Sequence, residues 1–326
     1  MPQHIFCRLE RLYSSDAPFL TLILAVTVLS IGCTQPSENS QRTPMDKAAS
    51  PNGSQPLDES SNLGKELATL NMATIPWQVS TDQLKQLQPL ADYLSKAVGR
   101  PVKFQVAKDY DTAINLLVEG KVDFAQLGPL TYVKAKQRNP HLQPIVAPIE
   151  KTTGRPWYTS VIVVKNNSGI NNLKDLKGKR VAFVSKSSAS GYLVPLGALK
   201  DIGIEPEQDF AAVSYAGSHN QVKEELILGK VDAIANDKRS YLAQVKAGNI
   251  APTKYKIIWE SQPIPNTPIV TSSKLPPQVI TAIKKAFVNA PDGIIDFSGS
   301  ESAGYTLVQD EDYTPIRNLQ QRLGLK

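Results

Sequence analysis

Cysteine and histidine are scarce in this chain, and where they fall excludes several chemistries. Of 326 residues only two are cysteine and three histidine. Cys7 and Cys33 lie in the first tenth of the chain, so nothing after Cys33 can form an intramolecular disulfide or a thiolate metal site. His4, His141 and His219 are too scattered to read as ligands of one zinc, and no metal is expected. Long apolar runs are also missing: Phe19–Ile31 is too short to span a bilayer comfortably. Basic residues exceed acidic ones by six, yet they are spread out, mostly as single lysines, and form no run. That pattern describes a mildly basic, solvated surface rather than a nucleic-acid interface, and its summed field modestly favours an anionic ligand.

What is present is enough for two lobes, since 326 residues exceed the usual size of a single core. The N-terminus reads as an export signal over residues 1–32: Arg8 and Arg11 precede the apolar run. It ends Leu29-Ser-Ile-Gly-Cys33, which resembles a bacterial lipobox with Ser30 where leucine is usual. The expectation is a lipidated Cys33 that anchors the mature chain to the cell membrane; simple signal cleavage and an uncleaved anchor are the alternatives. Residues 33–66 are rich in Ser, Pro, Asn and Gln and nearly free of apolar side chains. Such a segment buries too little surface to offset its ordering entropy, so it reads as a disordered tether.

From Leu67 the chain alternates. Thr81–Val98 has Leu84, Leu87, Leu90, Leu94 and Val98 at helical spacing, closed by Gly99. Val102–Val106 is a strand, Asp111–Glu119 a helix stopped by Gly120, and Val122–Leu127 a short strand. Thr131–Arg138 is helical; Pro144–Pro148 and Tyr158–Val164 are strand-like. After a short polar helix or turn at Asn171–Gly178 come the strand Arg180–Val184, a serine-rich turn, and a helix through Leu199. Phe210–Ser214, Val231–Ala235 and Lys256–Glu260 read as strands, with helices Asn220–Leu228 and Tyr241–Gly248 between them. Prolines 263, 265 and 268 mark a linker, and Pro277–Asn289 and Pro315–Leu323 are terminal helices. The pattern implies an α/β protein with a parallel or mixed sheet in each lobe. Lobe 1 is expected over 67–157 plus 262–326, and lobe 2 over 158–261.

Two features carry functional content. Ser185–Pro195 places four serines, Ala189 and Gly191 at a strand-to-helix turn, where backbone N–H groups and the helix dipole favour an anion. The same residues also fit a plain N-cap cluster with no ligand. Pro195 sits so close behind the serines that the first helical turn must be distorted or begin late. The second feature is an echo: Gly120-Lys-Val-Asp123 recurs as Gly229-Lys-Val-Asp232, each after an apolar helix and before a short strand. Ten residues before each glycine stand Tyr110 and His219, both at helix entrances. In open α/β sheets ligands collect beyond the carboxyl ends of strands, so two such units facing each other would line one cleft.

Several motifs together resemble one family. They are Leu127-Gly-Pro-Leu-Thr-Tyr132, Tyr158-Thr-Ser-Val161, Ser187-Ser-Ala-Ser-Gly-Tyr-Leu-Val-Pro195, Ala216-Gly-Ser-His219, Gly229-Lys-Val-Asp232 and Ile264-Pro-Asn-Thr-Pro268. From about Leu67 to Lys326 the chain resembles the substrate-binding proteins of phosphate, phosphite and phosphonate ABC importers. The resemblance implies a two-lobed periplasmic-binding-protein fold of type II, with the ligand cleft between the lobes. It implies no catalysis and no cofactor, a periplasmic location, and a membrane permease as partner to a monomeric protein. Carried over residue by residue, the cradle falls on Ser188, Ala189 and Ser190, where Ala189 replaces a common threonine and offers only its N–H. His219 takes the place of a histidine donor, and Tyr110 and Tyr158 those of two ligand-facing tyrosines.

In members that take aminoalkyl phosphonates, acidic residues hold the ligand's ammonium. The aligned positions here are Arg239 and Thr267; neither can pair with a cation, and Asp237 would align only with a shift of one residue. The resemblance therefore implies a small oxyanion such as phosphite, methylphosphonate or phosphate. Two other classes compete: a sensor presenting its closed form to a membrane receptor, and an enzyme on the same fold. An enzyme would need a nucleophile–base pair or a metal, and the sequence shows His219 with no evident carboxylate partner.

Overall fold

The structure is a computed structural model that describes residues 68–325 except 79, 273, 292, 295, 298, 300 and 301. The signal, Cys33 and the tether lie outside the described residues.

The chain opens with β1 (Leu70–Thr74), α1 (Ser80–Val98), β2 (Val102–Val106), α2 (Tyr110–Val118), β3 (Phe124–Gln126), α3 (Pro129–Arg138) and β4 (Gln143–Glu150). The central stretch runs β5 (Trp157–Tyr158), β6 (Ser160–Lys165), β7 (Arg180–Phe183), α4 (Val194–Asp201), α5 (Pro206–Asp209), β8 (Ala212–Tyr215), α6 (His219–Ile227), β9 (Ala233–Asp237), α7 (Lys238–Lys246) and β10 (Tyr255–Glu260). The last part holds β11 (Ile264–Pro265), β12 (Ile269–Thr271), α8 (Pro277–Val288), β13 (Ser302–Leu307) and α9 (Thr314–Arg322).

These strands form two main sheets. The first has the order β13-β4-β12-β3-β1-β2 and the second β10-β6-β9-β7-β8. In each, one strand pairs in parallel with two neighbours: β1 with β2 and β3, and β7 with β8 and β9. A returning strand closes each triplet antiparallel, β12 on β3 and β6 on β9. The small pair β5–β11 lies where the chain passes between the sheets. Two sheets of this topology, each with its own helices, make a two-lobed mixed α/β protein.

The helices form where apolar spacing and end signals agree. On α1, Leu87, Leu90, Ala91 and Leu94 are buried, the stripe expected of an amphipathic surface helix. Asp109 caps α2 by accepting from the Thr112 N–H at 2.6 Å, and Ser218 caps α6 by accepting from Gln221 at 3.2 Å. Gly120 and Gly229 follow these helices with φ of 68° and 70°, a left-handed conformation that favours glycine at a helix end.

The echo extends far beyond four letters. Helices α2 and α6 have 9 residues each, starting at Tyr110 and His219. Asp123 accepts from the Asn71 N–H at 2.7 Å, and Asp232 from the Arg180 N–H at 2.9 Å. The Ala107 N–H donates to the Thr74 carbonyl, and the Ala216 N–H to the Phe183 carbonyl, both at 2.9 Å. Every pair keeps one offset along the chain, so the lobes share a β-α-β-α-β scaffold down to its backbone bonds.

Some expectations are corrected. The proline-marked segment carries β11 and leads into β12, and β13 precedes α9; none of these was read from the sequence. Tyr158–Val164 is two strands, β5 and β6, which belong to different sheets. The expectation of a distorted or late first turn is met: the helix after the serines begins at Val194, behind a wide π-type turn over Ala189–Leu193. Pro195 accounts for this: its ring cannot sit inside a tight helix that starts at Ala189.

Candidate functional site

The serine-rich turn starts at the carboxyl end of β7, where the chain leaves the sheet and its polar groups need partners. Ser188 caps the π-type turn, its Oγ accepting from the Gly191 N–H at 3.0 Å. Gly191 is required here, because a Cβ would fall 2.4 Å from Val184 Cγ2 and 2.9 Å from Ser188 Oγ. The N–H groups of Ala189 and Ser190 stand at the opening of this turn and meet no acceptor among the described residues. Ser160 Oγ holds the turn from below by donating to the Ser190 carbonyl at 2.6 Å.

The two repeated helix entrances face this turn from opposite lobes. Tyr110, at the start of α2, is buried, with Ser188 beside its hydroxyl; the hydroxyl itself makes no hydrogen bond. Burial, with Tyr158 and Asp237 nearby, pushes its ionisation well above the usual tyrosine range. Tyr158, on β5, lies against Ser190 and is pushed up to about 12, chiefly by burial. Both phenols therefore keep their protons and remain donors.

His219, at the start of α6, is 3% exposed. Its Nδ1 lies 2.5 Å from Asn236 Oδ1 and 3.1 Å from Asp237 Oδ2. Two acceptors at one nitrogen assign the proton to Nδ1, which leaves Nε2 unpaired among the described residues. Burial lowers its ionisation, and Asp237 opposes that only in part. The expectation that His219 lacks a carboxylate partner is thus corrected: Asp237, at the end of β9, is its neighbour.

The lobes meet around this cluster. Thr131 Oγ1 donates to the Ser187 carbonyl at 2.9 Å, and Ser187 Oγ to Asp111 Oδ1 at 2.8 Å. Lys134 Nζ reaches Ser187 Oγ at 3.1 Å. Trp77, held in the loop after β1 by Gln83 (its N–H to Oε1, 2.8 Å), stacks on the His219 ring. All six residues named from the sequence (Tyr110, Tyr158, Ser188, Ala189, Ser190 and His219) are buried at this junction. Phenol hydroxyls, free N–H groups and serine hydroxyls converging on a closed interior can desolvate an oxyanion and satisfy it with short, charge-assisted bonds.

Arg239 lies at the same junction, but not as a bare positive charge. Its guanidinium sits among Asp237, Glu150 and Asp296 and over the ring of Tyr158. Sequence reasoning missed Trp77, Asn236, Asp237 in its present role, Glu150 and Asp296. Only Asp237 carried a local signal, as the N-cap of α7 accepting from Ser240 at 2.9 Å.

The chain is similar to known proteins along most of its described length. The model of the phosphonate periplasmic substrate-binding proteins of ABC transporters matches residues 72–313. The phosphate-import protein PhnD of Mycolicibacterium smegmatis is 29% identical over 271 residues, 77% of this chain and 84% of its own. The phosphonates-binding periplasmic protein of Escherichia coli is 30% identical over 263 residues, 77% of this chain and 75% of its own. Among solved structures, PhnD1 of Prochlorococcus marinus in complex with methylphosphonate superposes with a TM-score of 0.70. It covers 78% of this chain and 98% of its own at 23% identity, which supports the two-lobed type II fold. The chain belongs to the phosphonate-binding family of ABC-transporter periplasmic substrate-binding proteins.

Proposed function

We propose that this chain captures a small phosphorus oxyanion without an amine, such as phosphite, methylphosphonate or phosphate, and delivers it to a membrane permease. In this reading Cys33 is lipidated, the tether lets the body reach the permease, and the protein acts as a monomer without catalysing a reaction. The observation that carries the reading is the convergence at the cradle. Ser188, Ser190 and the free N–H of Ala189 lie with two phenols that stay protonated, Tyr110 coming from the opposing lobe, and with the unpaired Nε2 of His219 on the cradle's own lobe. The reading without catalysis is supported by the family model and the relatives, which are transport substrate-binding proteins.

A thermal-shift screen followed by calorimetry tests it, with phosphite, methylphosphonate, phosphate, hypophosphite, sulfate and 2-aminoethylphosphonate. A ligand at about 100 times its Kd should stabilise by about 2.7 kcal/mol, a shift of several degrees for a protein this size. The reading is sunk if 2-aminoethylphosphonate binds more tightly than both phosphite and methylphosphonate. Mass spectrometry of the membrane-extracted protein tests the diacylglyceryl group on Cys33.

A further inference from the structure

Arg239 is buried, 7% exposed, in a way that an arginine seldom is. Of its donors, Nη1 reaches Asn266 Oδ1 at 2.9 Å, whereas Nε and Nη2 are buried and make no hydrogen bond. Three carboxylates surround it without touching: Asp237 at 3.5 Å, Glu150 at 3.7 Å and Asp296 at 3.8 Å. The guanidinium carbon lies 4.3 Å from the centroid of Tyr158 and 5.9 Å from that of Trp77. An arginine ordinarily pairs through its planar fork. Here the fork goes largely unused, and the cation is held by surrounding negative charge and by aromatic faces. That is the environment that suits an alkylammonium, which needs charge and a π-face more than a fixed fork.

The position matters as much as the environment. Tyr158 lies beside Ser190 of the cradle and carries the guanidinium on its ring face. The arginine head therefore lies one tyrosine ring away from the anion site, where a substituent on phosphorus would extend. Asp237 and Arg239 come from one lobe, Glu150 and Asp296 from the other, so this compartment closes together with the cradle.

We propose that Arg239 is the specificity-determining residue of this cleft: its side chain is a built-in stand-in for a ligand's cationic tail, filling an ammonium compartment the chain still builds. This deepens the proposed function and rests on it. The carboxylates do not attract an aminoalkyl phosphonate in the native protein, because their cation is covalently supplied. Shortening Arg239 would vacate the compartment and leave Asp237, Glu150, Asp296 and the Tyr158 face for a ligand's ammonium.

Calorimetric titration of the wild type and of Arg239→Ala with methylphosphonate and with 2-aminoethylphosphonate tests this. The wild type should favour methylphosphonate. The variant should bind 2-aminoethylphosphonate at least about tenfold more tightly than the wild type does, the scale of a desolvated cation on an aromatic face. Methylphosphonate should show no comparable gain. Equal gains for both ligands would mean that only volume was vacated, and loss of both would mean that Arg239 holds the anion itself; either overturns the proposal, as does no gain for the amine. Should Arg239→Ala not fold with three carboxylates deprived of the guanidinium, Arg239→Ala/Glu150→Gln removes one of those charges. The amine must still gain on methylphosphonate there for the proposal to stand. A wild type that binds no phosphorus oxyanion overturns the proposed function and this inference with it, whereas a binding wild type with no amine gain in the variants overturns this inference alone.

Discussion

Trp77 and His219 stack face to face across the junction of the lobes, ring centroids 4.4 Å apart and planes 26° from parallel. The Asn220 N–H donates to the Trp77 carbonyl at 3.3 Å, so the contact includes backbone as well as rings. The stack forms only when the lobes meet, so its energy adds to the closed state. A stacked aromatic pair contributes about 0.5–1.5 kcal/mol beyond burial. Trp77→Ala should weaken ligand affinity about two- to tenfold in calorimetry, while Trp77→Phe, which keeps a ring, should stay within about twofold. Unchanged affinity in Trp77→Ala would show that the stack does not contribute to closure.

Ser188→Ala and His219→Ala each remove a polar group from the oxyanion, at a cost of about 1–3 kcal/mol. Because both act on one ligand, the double variant should depart from the sum. Calorimetry that leaves both single variants within about twofold of wild type would place the cradle elsewhere.

Gly191→Ala should be more damaging than its size suggests. The new methyl would meet Val184 Cβ at 2.5 Å and Ser188 Oγ at 2.9 Å. Overpacking of this kind costs about 1–3 kcal/mol, and the relief available is to push Ser188 off its cap. A lowered melting temperature together with weakened binding is the expected outcome; normal binding would show that the turn adapts.

Stability should depend on pH through His219. Its ionisation is lowered in the folded protein, first by burial and further by Arg239, against the pull of Asp237 and Asn236; the neutral indole of Trp77 covers its ring face. The unfolded chain then takes up a proton that the folded protein refuses. This contribution is fully present above the ordinary histidine value of about 6.5 and is lost as pH falls from there toward the depressed folded value. Urea midpoints at stepped pH should fall below about pH 6.5 in the wild type, and less steeply in His219→Gln. Parallel slopes would remove His219 as the cause. Glu150 titrates in the opposite sense, raised mainly by burial, so its contribution is lost as pH rises through its folded value.

Much of the fold could be read in the sequence because its signals are local. Gly120 and Gly229 end helices, the leucines of α1 face one way, and Pro195 delays α4 until Val194. The repeat likewise pointed to Tyr110 and His219. What escaped is non-local. Ile269–Thr271 is only 3 residues long, and it becomes a central strand through its antiparallel partners Phe124–Gln126 and Gln143–Val146. Ser302–Leu307 contains Gly304 at φ 90° and pairs irregularly with β4, so it lacks strand alternation. The charge around Arg239 comes from Glu150 and Asp296, distant in sequence, and no pattern near Arg239 announces them.

Because Tyr110 and His219 stand at equivalent points of two like scaffolds, the jaws of the cleft are matched in backbone but not in proton chemistry. One offers a phenol that keeps its proton over the ordinary pH range and donates it in a hydrogen bond; the other offers a ring nitrogen that can accept one. On the proposed function, a tetrahedral oxyanion bearing one hydroxyl is therefore expected not to tumble between equivalent seats. Its bare oxygens would turn toward the phenol jaw and its hydroxyl toward the imidazole, which would give an otherwise pseudo-symmetric clasp a handedness.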